Sequence, residues 1–96
     1  MDSLQRQERR GARYSLKLPV LVKLDREEMR VQSENISLGG ILLSSAVPIP
    51  EGSTVDLGIG VSHVTLLSAR GRVVRVQAKV ARTFSVAIAF QCLSLA

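Results

Sequence analysis

The chain has 96 residues, 46% of them apolar and 22% charged, with a formal net charge of +5. That is the material of one small domain with a single modest core, and its apolar share excludes wholesale disorder. No stretch reaches the ~18 uninterrupted apolar residues of a membrane span, and the one cysteine, Cys92, excludes an internal disulfide or a cysteine-based zinc site.

Residues 1–15 read as an arm: polar, rich in arginine, broken by Gly11 and without periodicity. Nothing in Met1 to Arg13 has the apolar centre of a signal peptide, so a reducing, cytoplasmic setting is expected. From residue 16 to 96 the pattern is that of one β-domain. Val20, Val22 and Leu24 share one parity after Pro19, as in a half-buried strand. Asp25 to Glu28 is a charged turn, after which Met29, Val31 and Ser33 alternate with Arg30, Gln32 and Glu34. Asn35-Ile36-Ser37-Leu38-Gly39-Gly40 interrupts with turn residues, and Ile41 to Ser45 resumes a strand. Pro48-Ile49-Pro50-Glu51-Gly52 is a rigid loop, because proline fixes φ and removes a donor.

Val55, Leu57, Ile59 and Val61 then alternate with Asp56, Gly58 and Gly60. Residues 64–77 form a long strand, bent near Gly71. Ala81 to Phe90 closes the pattern, with Val86, Ile88 and Phe90 on one face and Ala87 and Ala89 on the other. Six strands at short spacing, with no helix of ordinary length, predict an all-β fold. A small six-stranded antiparallel β-barrel is favoured over a sandwich because closure leaves no exposed edge.

Catalytic constellations are missing. The single histidine, His63, falls between two predicted strands and reads as an exposed turn residue. One His and one Cys on distant segments make no nucleophile-base pair. Gly39-Gly40 is not followed by Lys and Ser/Thr, so it is no P-loop. Metal-ligand spacing is also lacking. The chain reads as a binding protein and not an enzyme, without a cofactor.

Charge is uneven. Residues 1–15 carry net +2 (Arg6, Arg9, Arg10 and Arg13 against Asp2 and Glu8) and residues 54–96 net +4 (Arg70, Arg72, Arg75, Lys79 and Arg82 against Asp56). Ten of the thirteen cations are arginine, whose planar fork suits phosphate and guanine edges. A nucleic-acid polymer is disfavoured, since Tyr14, Phe84 and Phe90 are the only aromatic side chains to stack on. On the strand at 64–77, Arg70 and Arg72 share a face and Arg75 has the opposite parity unless Gly71 marks a bulge. That group reads as a solvated strand face, the sharper alternative being an added phosphate contact or a partner patch.

Two strings remain. Arg9-Arg10-Gly11-Ala12-Arg13 contains R-x-x-x-R, and Asn35 to Gly40 spells N-x-S-x-x-G. Taken singly, the first is a solubilising tail and the second an ordinary turn. In this order, flanking a strand pair, they resemble the PilZ domain. Leu18-Pro19-Val20 is similar to that family's first strand, and Gly71-Arg72-Val73-Val74-Arg75 and Val86-Ala87-Ile88-Ala89-Phe90 to its late strands. The resemblance implies a split barrel and binding of the bacterial second messenger cyclic di-GMP. The ligand residues carried over are Arg9, Arg10, Arg13, Asn35, Ser37, Gly39 and Gly40. Many members continue into a C-terminal helix, and Gln91 to Ala96 leave room for a turn at most.

The chemistry agrees with that implication. A guanidinium fork takes guanine O6 and N7 or a phosphate, and its plane stacks on a purine. The Asn35 amide reads a base edge, the Ser37 hydroxyl reaches base or phosphate, and Gly39 and Gly40 let the backbone approach closely or turn left-handed. The expected architecture is a rigid barrel with a flexible arm that converges on the Asn35 turn. Ligand would order the arm and create a surface for a protein partner of unknown identity. An adaptor of the same fold that makes no use of ligand is the alternative.

Overall fold

A computed structural model describes residues 12–61 and 64–95. Arg9, Arg10 and His63 lie outside the described residues. Among the described residues six antiparallel strands close a barrel. They are β1 (Pro19–Leu24), β2 (Glu27–Ile36), β3 (Gly40–Ser45), β4 (Thr54–Val61), β5 (Val64–Ala78) and β6 (Phe84–Leu95). Around the wall the order is β1-β2-β3-β6-β5-β4, with β4 hydrogen-bonded back to β1. No α-helix occurs among the described residues. Their sole helical element is a short 3-10 turn, Val80–Arg82.

The alternation read from the sequence places the core. Val20 and Val22 of β1, Ile41 and Leu43 of β3, Val55, Leu57 and Ile59 of β4, Val73 of β5, and Val86 and Ile88 of β6 are all buried inside the barrel. Burying a side chain of this size contributes roughly 1.5–3 kcal/mol, so these residues dominate the stability of so small a domain. Ile49 joins them fully buried, although it sits between Pro48 and Pro50 in the β3–β4 loop. That loop closes one end of the barrel. Its backbone is tied to β5, with Gly52 N–H donating to the Val73 carbonyl at 2.7 Å and Val73 N–H to the Ser53 carbonyl at 2.9 Å.

Several boundaries differ from the sequence expectation, each for a local reason. The β1–β2 turn is shorter than Asp25 to Glu28, because Glu27 and Glu28 already pair with Leu24 and Lys23. Asp25 makes this possible with a φ of 57°, which Asp tolerates better than most residues. The last strand starts at Phe84 instead of Ala81, since Ala81 (φ 62°) and Arg82 (φ 59°) turn left-handed. Val61 is exposed, not buried with Val55, Leu57 and Ile59. The β4–β5 ladder shifts at Ile59/Gly60, leaving Leu66 of β5 without a partner, and a Cβ at Gly60 would overlap the Val64 carbonyl. Residues 91–95 are strand. They prolong β6 along Leu67–Arg70, after a shift in which Gln91 has no partner on β5.

Two further irregularities position the outer wall. Between Ser33 and Asn35 the β2–β3 ladder slips by one residue, leaving Glu34 without a partner. Between Val73 and Arg75 the β5–β6 ladder slips in the same way, leaving Val74 extra. In an unbroken strand Asn35 would share the inward face of Ser33, and Arg75 that of Val73. One extra residue reverses the parity in each strand. Ile36 therefore packs against the core while Asn35 faces outward. Val76 packs inward and Arg75 is exposed. The β5–β6 ladder does shift at Arg70/Gly71, where the sequence reading allowed a bulge, but the extra residue there is Gln91 of β6; the one that turns Arg75 outward is Val74.

Candidate ligand-binding site

The two bulges put Asn35 and Arg75 at the ends of one cross-strand row. Asn35 pairs with Leu42, Leu42 with Ala87, and Ala87 with Arg75, so the row crosses β2, β3, β6 and β5. At ~4.8 Å per strand spacing, its ends are about 14 Å apart. A cleft of about 580 Å³ lies over this row, lined also by Arg13, Ser37, Gly39 and Gly40. The floor is low because β6 offers only Ala87 and Ala89 on this face. Two cations, Arg13 and Arg75, line the cleft and no acidic side chain does, so the described surface is electropositive.

Residues 12–15 are the described part of the expected arm, and they are tethered. Tyr14 pairs with Ile36 through two backbone hydrogen bonds of 2.9 and 3.0 Å. The buried Ser33 hydroxyl holds the next turn of chain. It donates to the Leu16 carbonyl at 2.5 Å and accepts from Leu18 N–H at 2.9 Å. This clip sets the direction in which the arm leaves the barrel and delivers Arg13 to the cleft. Arg13 Nη1 donates to Asn35 Oδ1 at 2.6 Å, a charge-assisted bond between residues 22 apart. Ser33→Ala leaves the Leu18 amide and Leu16 carbonyl without this partner. We expect a loss of about 1–3 kcal/mol, seen as a lower denaturant midpoint with an unchanged slope.

Ser37 and the glycines build the turn that forms the opposite rim. The Ser37 hydroxyl accepts from Gly39 N–H at 3.2 Å, and Ser37 N–H donates to the Gly40 carbonyl at 2.9 Å. Such side-chain-to-backbone bonds are why serine favours turns. The turn is pinned to β6, with Phe90 N–H donating to the Gly39 carbonyl at 2.9 Å. Neither Gly39 nor Gly40 adopts a positive φ, so the left-handed option considered from the sequence is not used. Gly40 is needed for close approach, because a Cβ there would overlap the Ile88 carbonyl oxygen of β6. Gly39 stands in open space, with only Ser37 Oγ as near as 4.0 Å to a Cβ.

Of the sequence candidates, the structure brings together Arg13, Asn35, Ser37, Gly39 and Gly40. Arg75 joins them: the sequence leaves its face open to a bulge, and the bulge at Val74 settles it outward. Arg70 does not join. It pairs with Asp56 across the β4–β5 ladder, Nε to Oδ1 at 2.9 Å, on another part of the wall. That hydrogen bond and the carboxylate charge raise the Arg70 pKa above its ordinary value. Among the described residues no cluster of three His, Cys, Asp or Glu could hold a metal ion, and no helix is long and apolar enough to cross a membrane.

The solved structure of Bacillus subtilis inhibitor of motility (MotI/DgrA) matches 88% of this chain with a TM-score of 0.75 at 22% identity. This chain corresponds to 43% of that protein's chain, and at this identity the likeness speaks for the fold. A comparison with curated proteins gave no match. The family model described as the PilZ domain matches residues 4–96. With a match over nearly the whole chain and the barrel to go with it, the chain belongs to the PilZ domain family.

Proposed function

We propose that the cleft between Arg13 and the Asn35 turn binds cyclic di-GMP, and that the chain acts as a cytoplasmic receptor without catalysis or cofactor. The observation that carries this reading is the convergence of Arg13 and Asn35 at 2.6 Å over an electropositive cleft. A ligand with two phosphates and two guanines offers acceptors along its whole length, and guanidinium groups are donors only. Arg13 supplies a fork for phosphate or guanine, Asn35 an amide for a base edge, and Gly40 the bare backbone that lets the ligand lie close. Arg9 and Arg10, in the same motif, add their charges from the arm. Ser37 both holds the turn and presents its hydroxyl.

Binding orders the arm over the ligand, at a cost of roughly 1–2 kcal/mol per backbone residue fixed. The tether at Tyr14 keeps that cost low by starting the arm beside the site. The exposed side chains of Tyr14 and Leu38 lie near this rim. Filling the cleft therefore changes a surface that a protein partner can read. The fold shared with an inhibitor of motility supports an output through such a partner. Titration of the folded protein with cyclic di-GMP in a calorimeter, with GTP as control, is the test. Saturable heat with the dinucleotide is expected. A flat titration at tens of micromolar would remove the receptor reading and leave the ligand-independent adaptor.

A further inference from the structure

The two ends of the cleft differ in chemistry. At the β2 end Arg13 and Asn35 are already bonded to one another. At the β5 end the polar side chain is Arg75, flanked by Val74 and Ala87. We infer that Arg75 reads a guanine, its fork taking the O6/N7 edge of the base that lies toward β5. This rests on the cyclic di-GMP reading above and names a residue that determines its specificity.

Three observations carry it. The extra residue Val74 exposes Arg75 on the wall, where an unbroken β5 would turn it into the core. Arg70, on the same strand, is held by Asp56, whereas no side-chain hydrogen bond or ion pair holds Arg75 among the described residues. The immediate surroundings, Val74 and Ala87, are small and apolar. They suit the face of a base better than a phosphate, which wants donors on several sides. A guanidinium has five donors and no acceptor. Guanine offers it two acceptors side by side, whereas adenine sets a donor amine beside N7. Arg75 and Asn35 stand three strand spacings apart, so an extended dinucleotide touches both and a single base does not.

The test titrates the full chain and its Arg75→Ala and Arg75→Lys variants with cyclic di-GMP and cyclic di-AMP, alongside thermal melts. Both variants are expected to bind cyclic di-GMP about tenfold more weakly or worse, the loss of one bidentate base contact. The preference for cyclic di-GMP over cyclic di-AMP should narrow by a similar factor, with the melting temperature unchanged. Unaltered cyclic di-GMP binding by Arg75→Ala overturns the inference. So does recovery by Arg75→Lys, which keeps the charge and lacks the fork, or an equal loss for both dinucleotides. Failure of the native chain to bind cyclic di-GMP is a separate outcome: it sinks the underlying reading before any variant is compared.

Discussion

Arg13→Ala is expected to weaken cyclic di-GMP binding about 100-fold, or ~2.7 kcal/mol, with a change in melting temperature of less than about 2 °C. The size comes from two losses. Arg13 supplies a charge-assisted contact worth roughly 1.5–3 kcal/mol when its partner is charged. It also orients the Asn35 amide through the 2.6 Å bond to Oδ1. The small thermal effect follows from exposure: Arg13 lies at the surface, its bond to Asn35 is solvent-exposed, and such pairs add little to stability. Asn35→Ala should cost less, about tenfold, because only the amide contact goes. Since the two side chains touch, the double variant should lose less than the product of the single losses, by about 0.5 kcal/mol or more. Calorimetric titration of the three variants measures that coupling. Independent, multiplying losses would show that the bond seen here has no part in the bound state.

The barrel was legible in the residues because its strands alternate. Val20, Val22, Met29, Val31, Val55, Leu57, Ile59, Val86 and Ile88 were all placed on the inward face by parity, and all pack in or against the core. The irregularities were not legible. Glu34, Val74 and Gln91 interrupt ladders between neighbouring strands, and none of the three is a residue type that marks a bulge. Glu34 and Val74 nevertheless decide which face Asn35 and Arg75 occupy. Alternation along β5 therefore leaves the face of Arg75 open, while the motif points to Asn35 without any counting. Ser33 was read as one of an alternating set. Its burial and its grip on Leu16 and Leu18 depend on where the arm runs, which alternation in β2 does not record. Ile49 was hidden by its prolines. They mark a loop, and a loop is not where a buried isoleucine is sought, yet here the loop stoppers a barrel end.

Two adjacent glycines should answer the same substitution in opposite ways. Gly40→Ala is expected to destabilise the domain by about 3 kcal/mol, a fall in melting temperature of roughly 10 °C or more for a chain of this size. Gly39→Ala should stay within about 0.5 kcal/mol of the native protein. The reason is what a methyl group would meet. At Gly40 it would overlap the Ile88 carbonyl oxygen, and that atom cannot step aside because Gly40 pairs with Ala89, and Ile41 with Ile88, in the β3–β6 ladder. Relief requires the two strands to part, which would open the row on which Leu42 and Ala87 form the cleft floor. At Gly39 the added carbon enters open space and no positive φ resists it. Loss of ligand binding in Gly40→Ala would therefore come with loss of fold, and in Gly39→Ala it would come alone, from a methyl group against the ligand. Thermal melts of both variants with and without cyclic di-GMP separate the two effects. A Gly40→Ala domain as stable as the native one would mean that β3 and β6 do not approach this closely, and that the cleft floor lies deeper than the pairing of Leu42 with Ala87 puts it.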